Sequence, residues 1–167
     1  MLQLTHSSTP FVKREFPIVL ICDGVKGPAN IGSIFRIAEG FGVREIVFGK
    51  ADIDFDSGRL KKTARDTHRK VSYTQSDDLR MTVNHFKREG YFIAALEITD
   101  NSKPLHDLRW IGTDKLALIL GNEAHGISEE ILELTDKAYH IELYGDNSSI
   151  NVAQAAAVAL YHLTAAK

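Results

Sequence analysis

The sequence predicts a single α/β domain built on a mostly parallel sheet with helices on both faces. Short apolar runs alternate along the chain with longer segments of helical periodicity, which is typical of strands alternating with crossover helices. The runs are continuously apolar, as in parallel strands that are buried on both faces. The 167 residues, 44% of them hydrophobic, suffice for one core, and we find no linker or internal repeat that would divide them.

The predicted elements follow one another in a regular order. Five apolar runs predict strands at residues 17–22, 45–48, 91–96, 116–120 and 138–143. Periodic segments predict helices at residues 30–41, 77–89, 128–135 and 151–164. We expect residues 1–16 to form a short tail and residues 17–167 to form the domain.

Composition limits the class of protein. The net charge of −2 gives no global argument for nucleic-acid binding. Cys22 is the one cysteine, so a disulfide framework and a cysteine metal cluster are excluded, and a buried thiol in a reducing compartment is expected. No apolar run approaches the roughly 20 residues of a membrane span, and the N-terminus lacks the apolar core of a signal peptide. We expect a cytoplasmic protein with no membrane contact.

The first predicted helix has an arginine outside its core face. Apolar residues recur at helical spacing from Ile34 to Phe41, so Arg36 points away from the buried stripe. Gly32 and other small residues beside it would let a second backbone, a ligand or a partner subunit approach closely. Alternatively, Arg36 is a solvated helix residue and Asn30 is only an N-cap.

A turn rich in small and polar residues follows the fourth predicted strand. Gly121 and Gly126 allow backbone conformations closed to other residues, and they would let a ligand lie against the main chain. Ser128 is the expected N-cap of the next helix. Glu123 could orient a ligand or be a loop acid exposed to water, and His125 alone is weak evidence for catalysis or metal binding. No second ligand stands at metal-binding spacing, so no metal is expected.

A polar turn at residues 144–151 precedes the last helix. Asn151 or Ser149 can cap this helix, whose first N–H groups would face the crevice at the carboxyl ends of the strands. The helix is apolar on nearly all sides. One side should therefore meet the sheet and the other a second subunit, most simply in a two-fold dimer.

Three segments together resemble the sequence motifs of the SpoU, or TrmH-type, branch of the SPOUT methyltransferases. Residues 30–36 place an asparagine six positions before an arginine, residues 116–128 contain Gly-Asn-Glu and Gly-Ile-Ser, and within residues 141–161 Ser-Ile-Asn opens an apolar helix. The likeness extends from Pro17 to Leu163. It implies a deep C-terminal trefoil knot, a homodimer through the motif-one and C-terminal helices, and transfer of a methyl group from S-adenosylmethionine to a ribose 2′-hydroxyl of RNA.

The resemblance also implies roles for individual residues. Arg36 is expected to be essential, either as the acceptor of the hydroxyl proton or as a clamp on an RNA phosphate, since a guanidinium is normally permanently charged. Asn30, Glu123 and Asn151 are expected to arrange substrate and cofactor. The expected cofactor-binding residues are Leu96, Gly121, Asn122, Ile141, Leu143, Gly145, Ser149 and Ile150.

One segment has the charge of an RNA-binding surface. Residues 58–70 contain six cationic side chains and one acid, Asp66, in a chain whose total charge is −2. Such a concentration suits contacts with phosphates, although a solvated charged segment is the ordinary alternative. The cationic residues are Arg59, Lys61, Lys62, Arg65, Arg69 and Lys70.

The sequence also bears on the class of RNA substrate and leaves two alternative functions. Single-domain relatives are associated more often with tRNA than with rRNA, so the resemblance favours tRNA slightly. Leu143 and Ile150 stand where methionine and leucine are usual, and both keep apolar volume. The rivals are a non-catalytic binding module of the same fold and an unrelated doubly wound nucleotide-binding protein. The motif residues argue against the first, and the lack of a GxGxxG or P-loop motif argues against the second.

Overall fold

The computed structural model describes residues 3–4 and 8–165. The strands are β1 (Phe16–Asp23), β2 (Val43–Gly49), β3 (Ser72–Ser76), β4 (Phe92–Leu96), β5 (Lys103–Pro104), β6 (Leu116–Leu120) and β7 (Lys137–His140). The helices are α1 (Pro28–Gly40), α2 (Gly58–Ala64), α3 (Leu79–Arg88), α4 (Glu129–Leu132) and α5 (Val152–Thr164), with 3-10 turns at Thr67–Arg69 and Leu105–Asp107.

The strands form one sheet in the order β3-β2-β1-β6-β4-β7-β5. All pairings between these strands are parallel, which confirms the predicted mostly parallel sheet. From β1 the chain first builds one side of the sheet, through β2 to β3, and then fills the other side with β4 to β7. The reversal lies between β1 and β6, so the carboxyl ends of these two strands border the crevice in which doubly wound sheets bind ligands.

Hydrophobic cores cover both faces of the sheet. Along β1, Ile18, Leu20 and Cys22 enter the core closed by α1, α2 and α5, whereas Val19 and Ile21 enter the core closed by α3 and α4. All of these side chains are fully buried, and burying a large aliphatic side chain stabilises the fold by roughly 1.5–3 kcal/mol. The buried position of Cys22 raises the pKa of its thiol, as expected for a structural cysteine.

Several predicted boundaries were wrong. Strand β7 ends at His140, so residues 141–143 lie outside the sheet. Helix α4 is a single turn, because Leu134 and Thr135 hydrogen-bond three residues back and end it before the predicted residue 135. Helix α1 begins earlier than predicted, after Gly27 and with Pro28 in its first turn. Asn30 therefore lies inside the helix, and the interpretation of Asn30 as an N-cap was wrong.

Three elements, α2, β3 and β5, were absent from the sequence prediction. Strand β3 is an edge strand with a polar and mostly exposed sequence, so hydrophobic periodicity does not distinguish it from a loop. Strand β5 contains two residues. Helix α2 is short and strongly basic, and its charge conceals the buried Leu60 and Ala64. Within the described residues, no helix has the length and apolar character needed to cross a membrane.

Candidate active site

Three side chains from distant parts of the chain meet beside the carboxyl ends of β1 and β6. The Asn30 amide nitrogen donates a hydrogen bond to Oε1 of Glu123, and the Asn151 amide nitrogen donates to Oδ1 of Asn30 at 2.9 Å. Oδ1 of Asn151 also accepts from the Ala153 N–H at 2.9 Å, so Asn151 caps α5 as predicted. The fold thus brings together all three residues that were expected to arrange substrate and cofactor.

The turn that carries Glu123 is closed by its own backbone. Asn122 and Gly126 exchange two backbone hydrogen bonds of 2.9 Å, and the Asn122 side chain donates to the Gly24 carbonyl at 2.6 Å. Gly126 has a φ of +68°, the left-handed conformation expected of it. A Cβ on Gly121 would lie 2.5 Å from the nitrogen of Ile127. Gly121 is therefore required for a close approach of backbone to backbone within the turn.

A buried carboxylate fixes the end of the same turn. Asp23 is 3% exposed and accepts hydrogen bonds from the Ser128 N–H at 2.8 Å and the Ser128 hydroxyl at 2.6 Å. Lys50 Nζ lies 3.4 Å from Asp23 and 2.5 Å from Glu130. Ser128 is at the N-cap position of α4 as predicted, but its side chain makes no capping hydrogen bond. Its hydroxyl donates to Asp23 and accepts from Lys50 Nζ at 2.8 Å instead.

Glu123 and His125 occupy the exposed tip of this turn. The hydrogen bond from Asn30 favours an orienting role for Glu123 over that of an unengaged loop acid. Across residues 3–4 and 8–165, no group of three or more histidine, cysteine or acidic side chains could hold a metal ion.

A cavity of about 400 Å³ opens beside the network. Its walls are the turns after β4 and β6 and the segment that enters α5. A second cavity of about 100 Å³ shares Leu96 and Ser149 with it and follows the chain beyond β7. Gly145 is exposed and lines neither cavity, unlike the other expected cofactor-binding residues. Those in the first cavity are Leu96, Gly121, Asn122, Ser149 and Ile150, and the second adds Ile141 and Leu143.

Glu97 lines both cavities and was not among the residues predicted from the sequence. Its Oε1 accepts from the Ile98 N–H at 2.9 Å and its Oε2 from the Ile127 N–H at 3.1 Å. The carboxylate thus joins the turn after β4 to the end of the turn after β6. The available signal was an acid directly after a buried strand, a position where such a group needs hydrogen-bond partners.

Arg36 is exposed on α1, as predicted. Gly32 lies one helical turn earlier, on the same side of α1. A Cβ on Gly32 would lie 2.6 Å from the Leu60 carbonyl oxygen, so α2 packs directly on this side of the helix. The close approach expected beside Arg36 is therefore made by another helix of the same chain. No hydrogen bond within the described part of the chain joins Arg36 to the Asn30 network.

The predicted basic residues are all exposed, on α2, on the 3-10 turn after it and at the position that follows each of them. Lys61 binds Asp56 at 2.8 Å, and this hydrogen bond lowers the pKa of the Asp56 carboxyl. Arg65 and Asp66 adopt left-handed conformations where α2 ends, with φ of 47° and 65°. Because α2 packs against α1, Arg36 and the basic segment lie on the same face of the sheet.

The sequence is similar to those of known RNA methyltransferases. The SpoU rRNA Methylase family matches residues 17–161. The 23S rRNA (guanosine(2553)-2′-O)-methyltransferase RlmP of Bacillus subtilis strain 168 is 32% identical over 145 residues, which cover 87% of this chain and 57% of that protein. The chain therefore spans less than two thirds of the length of this relative.

Solved structures share the fold. The crystal structure of the Aquifex aeolicus TrmH/SpoU tRNA modifying enzyme has a TM-score of 0.81 at 27% identity, covering 92% of this chain and 76% of that chain. The SpoU methyltransferase AviRb from Streptomyces viridochromogenes, in complex with AdoMet, has a TM-score of 0.76 at 23% identity, covering 97% of this chain and 64% of that chain. From the family match over residues 17–161, this chain belongs to the SpoU rRNA Methylase family.

Proposed function

We propose that this chain is an RNA methyltransferase that transfers the methyl group of S-adenosylmethionine to a ribose 2′-hydroxyl. The observation behind the proposal is the network of Glu123, Asn30 and Asn151. Glu123 and Asn151 belong both to this network and to the wall of the larger cavity. A cavity wall linked by hydrogen bonds to motif-one helix α1, which also carries Arg36, suits a reaction between a bound cofactor and a second substrate.

S-adenosylmethionine is the methyl donor. A SpoU methyltransferase of the same fold has been solved with AdoMet, and the cavity here suits a ligand of that size, since small-molecule sites span roughly 300–1,000 Å³. Leu96, Leu120 and Ile150 give it apolar walls, and the Gly121 turn brings backbone against the cavity. The bound cofactor supplies a methyl group that its sulfonium has already activated.

The residues of the chain then have to align the ribose hydroxyl and remove its proton. Arg36 is the essential residue of the proposal, either as the proton acceptor or as a clamp on the adjacent phosphate. Asn30 receives one hydrogen bond and donates another, so it holds Glu123 and Asn151 in fixed positions at the cavity. The basic segment on α2 provides the phosphate contacts that place the RNA against Arg36.

Both tRNA and rRNA enter the proposal as substrates. The Aquifex aeolicus relative is named as a tRNA modifying enzyme, and the Bacillus subtilis relative acts on 23S rRNA. We keep tRNA first, as the sequence resemblance slightly favours it, and both kinds of RNA are tested. The C-terminal trefoil knot, the domain limits and a cytoplasmic location stay predictions of the same proposal.

A homodimer through α1 and α5 is the assembly that we propose. Val158 and Tyr161 on α5 are 44% and 65% exposed, and the Tyr161 ring contacts Phe41 with centroids 6.5 Å apart. This apolar surface favours cover by a second copy. Light scattering coupled to gel filtration tests the dimer: we expect twice the chain mass for the wild type and a shift toward monomer for Tyr161→Glu.

Two measurements test the function. Calorimetric titration should give saturable binding of S-adenosylmethionine, and no heat at millimolar cofactor would contradict the proposal. Incubation with labelled cofactor and total tRNA or rRNA should give RNA whose modified linkage resists alkaline cleavage, because a 2′-O-methyl group removes the attacking hydroxyl. RNA binding without methyl transfer, under conditions where the cofactor binds, would favour the non-catalytic binding module.

A further inference from the structure

A groove of about 590 Å³ lies between the basic segment and the edge strand β3. Its floor contains two aromatic rings, Phe55 from the loop before α2 and Tyr73 from β3. The rings are stacked, with centroids 4.6 Å apart and an angle of 29° between their planes. Tyr73 is 39% exposed, so part of this side chain is open to solvent. The groove therefore presents an aromatic face to solvent.

The aromatic pair is held in place from below. The ring of Phe35 on α1, which is fully buried, meets Tyr73 edge-on at 5.3 Å and Phe55 edge-on at 6.3 Å. Tyr73 is also paired with Ile46 in the register of β3 and β2. Because these contacts restrain both rings, the pair loses little conformational freedom when a planar ligand stacks on it.

The rim of the groove is cationic. Lys61 and Arg69 both line it, and the acid that also lines it, Asp56, is bound by Lys61. Single-stranded nucleic-acid sites combine these features, since positive side chains contact the phosphates and aromatic rings stack on the bases. A neutral apolar ligand would not account for the cations, and a duplex surface would not account for the exposed rings.

We propose that this groove binds one unpaired nucleobase of the RNA substrate, stacked on the outer face of Tyr73, with Lys61 and Arg69 on the flanking phosphates. The inference rests on the proposed function and narrows its substrate class. A base inside a regular duplex is covered by its neighbours on both faces, so it cannot stack on Tyr73. The preferred substrate is therefore a loop or another unpaired segment.

Fluorescence anisotropy with two labelled probes tests this site on the full chain. One probe is a twelve-nucleotide single-stranded RNA, and the other is a backbone of the same length made of tetrahydrofuran abasic units. Tyr73→Leu removes the aromatic face but keeps apolar contact with Phe35, whereas Tyr73→Phe keeps the ring. We expect Tyr73→Leu to weaken binding of the RNA about tenfold, Tyr73→Phe to stay within about twofold of wild type, and no variant to change binding of the abasic probe.

Every other outcome overturns the inference. Equal losses on both probes would mean that Tyr73→Leu disturbs the fold or the charges, and an unchanged RNA affinity would leave β3 free for another partner such as an added protein strand. If Tyr73→Leu does not fold, Tyr73→Trp replaces it, and the larger ring must bind the RNA at least as tightly as wild type. Methyl transfer is assayed separately: its absence with base-dependent binding intact would contradict only the proposed function.

Discussion

Two carboxylates, each beside a lysine, show how differently the two candidate ligand sites are built. Asp23, at the end of the turn that lines the larger cavity, is 3% exposed and accepts hydrogen bonds from the N–H and the hydroxyl of Ser128. At the aromatic groove, the Asp56 side chain is 94% exposed and forms an ion pair with Lys61. The cavity is thus shaped by backbone turns that buried polar groups fix, and the groove by side chains that present charge and aromatic surface.

This contrast indicates that the cavity and the groove have different functions. A cofactor site needs fixed geometry, because reacting atoms must be aligned to within a fraction of an ångström for the methyl transfer to proceed. An RNA surface needs charge and stacking area, which tolerate movement of individual side chains. Changes at the cavity should therefore affect stability or turnover, whereas changes at the groove should affect RNA affinity.

The largest effect is expected at Arg36 on α1. Arg36→Ala should lower methyl transfer at least about 100-fold, since it removes either the proton acceptor or the phosphate clamp. Binding of S-adenosylmethionine should stay normal, because Arg36 does not line the cavity. Initial rates measure methyl transfer and calorimetry measures cofactor binding. Arg80→Ala, on the exposed surface of α3, is the matched control.

An active Arg36→Ala enzyme would show that the reaction centre lies elsewhere. Partial activity in Arg36→Lys would favour the phosphate clamp.

The next largest effect is a difference in stability between variants of Asp23 and Asp56. Asp23→Ala leaves the Ser128 N–H and hydroxyl without their acceptor at a buried site, which should lower the free energy of unfolding by about 2–3 kcal/mol. Asp56→Ala should leave the urea midpoint unchanged, because the side chain is exposed. Urea unfolding followed by circular dichroism measures both variants. Equal losses of stability in the two variants would mean that the buried carboxylate of Asp23 stabilises the fold no more than the exposed carboxylate of Asp56.

The sequence revealed the cavity better than the groove. The parallel sheet follows from apolar runs, the cap of α5 was narrowed to Asn151 or Ser149, and most of the expected cavity residues follow from the family resemblance. The contact of Glu123 with Asn30 could not be predicted, because it joins residues 93 positions apart through the order of strands in the sheet. Glu97 was missed because its partners are backbone N–H groups of another turn.

The groove was predicted only by its charge. Its walls depend on α2 and β3, whose polar and basic residues hide the few buried ones. Phe55 and Tyr73 are 18 positions apart in two such segments, and no periodicity relates them. Their stacking is a consequence of packing against Phe35, which only the folded chain shows.

A smaller effect is expected when the two roles of Asn151 are separated. Asn151→Asp keeps an oxygen that caps α5 but replaces the amide that donates to Asn30. We expect this variant to keep its unfolding midpoint and to lose about tenfold in methyl transfer, the loss of roughly one hydrogen bond. Asn151→Ala removes the cap as well, so it should also lose about 1 kcal/mol of stability. If Asn151→Asp is as active as wild type, Asn151 acts only as a cap.

The smallest effect concerns the salt dependence of RNA binding. Lys62→Ala on α2 should reduce the slope of log affinity against log salt by about one for each lost phosphate contact, and Lys87→Ala on α3, whose lysine pairs with Asp136, is the control. Binding of S-adenosylmethionine should not change with Lys62→Ala, because the cavity is closed by turns on other parts of the sheet. Tyr73→Leu should weaken RNA binding at every salt concentration without changing the slope, since stacking releases no counterions. A lower slope in Tyr73→Leu, or an unchanged slope in Lys62→Ala, would mean that charge and stacking are not divided between α2 and the aromatic groove as we infer.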